Sequence, residues 1–162
     1  MTEEEKKLLL QDLCARLPYG VKATTTSNGW GGAYIVSGYV NDRIYLDCPA
    51  YDEGDDEWLV EFVKPYLRPM SSMTEEETRK ICVLSGILTD SENILSISVK
   101  EEFIDIKIDD GVCSTETRTL WFTEMPTSIT LFDYLNAHHF DYRGLIQIGL
   151  ALPAKEGMYN FN

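Results

Sequence analysis

Apolar positions along this chain recur with two different periods, and the switches between them outline the fold. Leu9, Leu13 and Leu17, with Leu10 and Cys14 beside them, repeat at helical spacing behind a Thr2/Glu5 capping box. That spacing predicts an N-terminal amphipathic helix, stopped by Pro18 and Gly20. From Val21 onward the period drops to two. Residues 21–26, 33–40 and 43–47 read as strands joined through Asn28-Gly29 and Asn41-Asp42, dipeptides that accept the positive φ angles of tight hairpins. Residues 58–63 alternate as a further strand, so the block reads as an antiparallel meander. Pro65 and Pro69 then bracket Tyr66-Leu67-Arg68 and favour extended backbone before each proline.

The helical period returns behind a second capping box, Thr74/Glu77, with Ile81, Leu84 and Leu88 on one stripe and Gly86 near its end. Two more alternating runs follow. Leu95, Ile97 and Val99 interleave with Ser96, Ser98 and Lys100, and Ile104, Ile106 and Ile108 with Asp105, Lys107 and Asp109. Asp110-Gly111 predicts a tight hairpin returning through residues 112–118. Thr130, with Asp133 three residues on, is expected to cap a helix carrying Leu131, Leu135 and His138. Asp141 is expected to cap a last short helix that ends at Gly149, and residues 153–162 read as loosely ordered. The prediction is an α+β fold, a hairpin-rich antiparallel sheet covered by segregated helices. A single domain over residues 1–162 is expected, with a short linker near residues 69–73.

Charge changes the picture by exclusion. The 162 residues carry 27 acidic against 14 basic side chains, a formal charge of −13. No compact basic patch interrupts that excess, so direct binding to duplex nucleic acid is not expected. Acids are densest at Asp52, Glu53, Asp55, Asp56, Glu57 and Glu61, which reads first as a solvated loop. The sharper readings are a landing site for a basic partner or an imitation of the DNA backbone. Cys14, Cys48, Cys82 and Cys113 never form a C-x-x-C pair, which argues against a zinc ribbon or a disulfide-dense scaffold. They read as small buried thiols of a reduced, cytoplasmic protein. The N-terminus lacks the basic and apolar regions of a signal peptide, and no apolar run approaches the roughly 20 residues of a membrane span.

Few residues suggest chemistry. His138 and His139 precede Phe140-Asp141-Tyr142-Arg143, and a histidine beside a carboxylate is the raw material of an acid–base pair. Adjacent imidazoles on a helix point about 100° apart, so they do not chelate one ion, and no H-E-x-x-H frame is present. Residues 52–57 lack the alternating oxygens and distal glutamate of a calcium loop. Residues 28–32 match a phosphate loop in composition alone; Trp30 at the tip of a hairpin is a candidate binding anchor. No G-x-S-x-G elbow occurs, and no cysteine has a histidine near it in sequence.

Two segments, KPYLRPMSSMTEEE at 64–77 and HHFDYRGLI at 138–146, resemble a group of small proteins of gut Bacteroidales and their prophages or other mobile elements. With the opening LLLQDLCARLPYGVK, the likeness touches about a third of the chain. The group has no assigned activity, so the resemblance implies a bacterial or phage intracellular setting and transfers no catalytic residue. Both segments combine cations with aromatics: Lys64, Tyr66 and Arg68 in one, His138, His139, Tyr142 and Arg143 in the other. These residues and Trp30 are the candidate binding set. A structural role for the arginines, capping carbonyls or pairing with a buried acid, is favoured over a shared recognition surface.

The expected function is that of a non-enzymatic intracellular accessory protein that binds a basic protein partner through its acidic surface, without cofactor or metal and without a membrane. One alternative is a small hydrolase or transferase acting on a nucleotide or metabolite through His138 or His139 and Asp141. Another is an acidic DNA mimic that inhibits an enzyme of phage–host conflict.

Overall fold

The structure, a computed structural model, describes residues 1–26, 32–47, 56–109, 111 and 114–159. It is α+β, and its chain contacts divide it into two compact units, Met1–Arg68 with Asn136–Asn162, and Pro69–Leu135.

The first unit begins with α1 (Glu3–Arg16), capped as expected: Thr2 Oγ1 accepts from the Glu5 N–H and Glu5 Oε2 from the Thr2 N–H. Its buried residues are Leu9, Asp12, Leu13 and Arg16, with Leu10 and Leu17 partly buried against the same core, whereas Cys14 is exposed rather than buried. Strands β1 (Lys22–Thr25), β2 (Tyr34–Val40), β3 (Arg43–Asp47) and β4 (Asp56–Leu59) form the predicted antiparallel meander. Asn41, at φ 56°, makes the turn between Val40 and its partner Arg43. Asn28-Gly29 and half of the acids of the acidic segment, Asp52, Glu53 and Asp55, lie outside the described residues.

Residues 58–63 are not one strand. β4 stops at Leu59, a 3₁₀ turn spans Val60–Phe62, and β5 (Val63–Leu67) returns antiparallel to β1. Apolar side chains at both parities of 58–63 leave no single face to bury, so a turn that tucks Val60 inward satisfies them better. Pro65 sits within β5 without costing a ladder bond. Because Thr26 donates to the Phe62 carbonyl, alternation places Pro65 opposite Ala23 in a pair that exchanges no hydrogen bonds. On its other side β5 pairs in parallel with β9 (Leu152–Pro153), completing a mixed sheet of order β4-β3-β2-β1-β5-β9. Its core joins Leu9 and Leu13 of α1 to Val21, Val36, Ile44, Leu46, Val63 and Leu67 of the sheet, and to Leu145 and Leu150.

The second unit holds a 3₁₀ turn at Met70–Ser72, α2 (Glu75–Leu84), the antiparallel sheet β6 (Ile94–Val99), β7 (Phe103–Asp109) and β8 (Thr115–Trp121), and most of α3 (Ile129–Ala137). The Thr74/Glu77 capping box is present. Ile104, Ile106 and Ile108 are buried on one face, as their alternation requires. The hairpin is longer than expected, since Asp109 pairs with Thr115 and β8 starts three residues after Val112. Asp110 lies outside the described residues, but Gly111 has φ 73° and donates its N–H to Asp109 Oδ1 at 3.0 Å. A Cβ added there meets no atom within 4 Å, so the left-handed backbone is the cost the structure shows for a side chain at this position. Gly111→Val should lower stability by roughly 1–2 kcal/mol in a urea melt; an unchanged midpoint would show that the left-handed turn is dispensable.

Helix α3 is capped by Ser128, not Thr130: the Leu131 N–H donates to Ser128 Oγ at 3.4 Å, and the Thr130 hydroxyl bonds to the same oxygen at 2.9 Å. The helix ends before His138.

Candidate functional site

Charged groups converge inside the first unit. Leu9, Asp12, Leu13 and Arg16 follow i, i+3, i+4, i+7 spacing, so one buried face of α1 carries an acid and a base beside its leucines. Arg16 and the Asp12 carboxylate are fully buried and bidentate: Nε to Oδ2 at 2.8 Å and Nη2 to Oδ1 at 2.9 Å. Arg16 Nη2 also donates to the Phe140 carbonyl at 2.8 Å. Arg143 approaches the same carboxylate, Nη1 to Oδ1 3.5 Å, and Tyr142 lies between the cations, its ring centre 5.5 Å from the Arg16 guanidinium and 4.9 Å from that of Arg143.

Phe140 is positioned by backbone. After α3, His139 adopts φ 56° and turns the chain alongside Arg68. The Arg68 N–H donates to the His139 carbonyl and the Asp141 N–H to the Arg68 carbonyl, both at 2.8 Å, a parallel bridge. The Arg68 guanidinium then rests 4.2 Å from the centre of the Phe140 ring. The carboxylate of Asp141 accepts from the Leu145 and Ile146 N–H groups at 2.8 Å each. It caps successive turns there rather than the expected short helix, and Gly149 at φ 75° closes them. Burial raises the Asp141 pKa, opposed by the two amide bonds.

His139 is 2% exposed and stacks on Tyr159 with ring centres 3.9 Å apart. Desolvation, with the nearby Arg16 charge, pushes its pKa down to about 3, against a hydrogen bond with the Tyr19 backbone, so the imidazole is neutral near pH 7. The Tyr159 hydroxyl accepts from the Lys22 N–H at 2.9 Å and donates to the Tyr66 carbonyl at 2.8 Å. Burial pushes that phenol up to about 12. The stretch read as a loose tail is therefore docked through Tyr159, and Lys22 Nζ holds the Met158 carbonyl at 2.6 Å. Residues 160–162 lie outside the described residues.

Of the candidate binding residues, Arg68 and His138 lie against the Phe140 ring, the His138 ring parallel to it at 6.3 Å. His139 precedes Phe140 in the bridge to Arg68, and Tyr142 and Arg143 lie beside the Arg16–Asp12 pair. Tyr66 contributes its carbonyl, Lys64 stands on β5 opposite Thr24, and Trp30 lies outside the described residues. The segments around Arg68, around Phe140 and at the chain's start, far apart in sequence, thus meet at Phe140, through the bridge to Arg68 and the Arg16 guanidinium on its carbonyl. Sequence reasoning overlooked Asp12, Arg16 and Tyr159. The first two had a readable signal, an i, i+4 acid–base pair in register with Leu9 and Leu13; Tyr159 had none.

The opposite side of α1 lines an open groove of about 340 Å³ with Leu10, Cys14, Tyr39 and several charges, among them Lys6 paired to Asp42 at 2.8 Å. Among the described residues no group of three histidine, cysteine or acidic side chains is placed to share a metal ion, and no helix is long and apolar enough to cross a membrane. No protein-family model, curated protein or solved structure matches the chain.

Proposed function

We propose that this chain is a non-enzymatic intracellular accessory protein that binds a basic protein partner through its acidic surface. The observation that carries this reading is how the cations are used. Arg16 is buried on Asp12, Lys6 is held by Asp42, Arg43 by Glu57, and Arg118 by Glu92 and Glu116. Against a net charge of −13, these intramolecular contacts leave carboxylates such as Glu3, Glu4, Glu75, Glu76, Glu101 and Glu102 exposed. A surface of one sign accelerates encounter with a partner of the other and makes the complex salt-sensitive. The cation–aromatic cluster serves in this reading as scaffold, tying α1, β5 and residues 139–159 together. Capture from a host lysate at low and high salt tests it. The expected result is a retained protein of basic composition that elutes as salt rises; retention insensitive to salt, or no retention at either salt, would overturn the proposal.

A further inference from the structure

The three-stranded sheet of the second unit has two free edges, and they differ. Among the described residues neither β6 nor β8 has a backbone partner on its outer side. The β8 edge carries Glu116 and Arg118, the kind of charge that guards an edge strand against pairing. β6, Ile94-Leu95-Ser96-Ile97-Ser98-Val99, carries no charge and no proline, and none of its residues is fully buried. Its register states which groups are open. Lys100 donates to the Phe103 carbonyl, so alternation turns the N–H and C=O of Ser98 and Ser96 toward β7. Those of Ile97 and Val99 point off the sheet.

The surroundings of this edge specify the occupant. Asp90 precedes β6, and Glu101 and Glu102 follow it past Lys100, while Glu92 is held by Arg118. The whole unit, residues 69–135, holds 13 acidic against 5 basic side chains, a net −8. A second copy would bring the same carboxylates against themselves; an extended cationic strand would meet them with opposite charge. We propose that the free edge of β6 takes up an extended Lys/Arg-bearing segment of the partner as a fourth strand, with Ile97 and Val99 supplying the backbone bonds and the flanking carboxylates selecting for charge. This rests on the acidic-surface reading above and names the place where it operates.

Amide hydrogen exchange followed by NMR on the full chain tests it, with the capped peptide KVKVKVK as probe and EVEVEVE as control. In the free protein the Ser96 and Ser98 amides should be protected while those of Ile97 and Val99 exchange readily. At roughly nine-tenths occupancy by the cationic peptide, the Ile97 and Val99 amides should slow about tenfold. The acidic peptide should leave them unchanged. Salt-sensitive binding of the cationic peptide without that protection would overturn the edge site while leaving the acidic-surface reading intact. No binding of the peptide would also overturn the edge site, and lysate capture then decides the broader reading separately. Protection of Ile97 and Val99 that grows with protein concentration in the absence of peptide would assign the edge to a second copy and overturn the proposal.

Discussion

Arg16→Ala should cost about 3–5 kcal/mol of folding stability, because removing one partner of a buried pair strands the other. Without the guanidinium, the Asp12 carboxylate keeps the more distant Arg143 at 3.5 Å as its charged neighbour, and the Phe140 carbonyl loses a 2.8 Å donor. Asp12→Ala should be comparably damaging, since it leaves a fully buried cation beside the Tyr142 ring. The double variant Asp12→Leu/Arg16→Met should recover most of the loss, because apolar side chains of similar volume avoid the desolvation both charges incur. Arg143 is 20% exposed and can turn to water in that variant. Urea melts of the three variants at pH 7 distinguish these outcomes. If Arg16→Ala lies within about 1 kcal/mol of the parent, the pair contributes no more than a surface ion pair does, and its role as the tie between α1 and Phe140 fails.

The contrast between this pair and the rest of α1 shows what was legible in the sequence. Both capping boxes were, because a cap is a local pattern of two side chains and two amides. The apolar stripe of α1 was legible in Leu9 and Leu13, with Leu10 and Leu17 packed partly buried against the same core. Hydrophobicity alone, however, also selects the exposed Cys14 and passes over Asp12 and Arg16, which are buried as a pair. The Ile104, Ile106, Ile108 face was legible for the converse reason: one strand packs one face, and period two reports it directly. Contacts between distant segments left no periodic trace. Nothing local announces that Arg68 will bridge to Phe140, or that Tyr159, among Lys155, Glu156 and Gly157, will seat against His139 and β1. The candidate residues around Phe140 could be named as a cation–aromatic set, but whether they face inward depends on that pairing, which a one-dimensional pattern does not encode.

The burial of His139 carries the second large expected effect, an acid-side loss of stability. Its imidazole is 2% exposed, stacked on Tyr159, and takes its proton in the folded state near pH 3 against an ordinary value of 6.5. Between those values the unfolded chain binds the proton and the native one does not, so stability rises with pH across the window and is lost as pH falls from 6.5 toward 3. The accumulated loss at the acid end is on the order of 4–5 kcal/mol, since one bound proton is worth about 1.4 kcal/mol for every pH step of one across that window. Asp141 acts with the opposite sign. Burial raises its pKa above 3.8, so the native state holds that proton longer than the unfolded chain does and its contribution falls as pH rises through its own range. The comparison that isolates His139 is therefore with His139→Asn, since asparagine tolerates the left-handed backbone at φ 56° and does not titrate. Losing the ring stack lowers its stability by an amount independent of pH, whereas its stability–pH curve should flatten between pH 6.5 and pH 4. Urea midpoints measured across that range decide the matter: equal slopes for the parent and His139→Asn would mean that the imidazole protonates freely in the folded chain and that the Tyr159 stack opens to water.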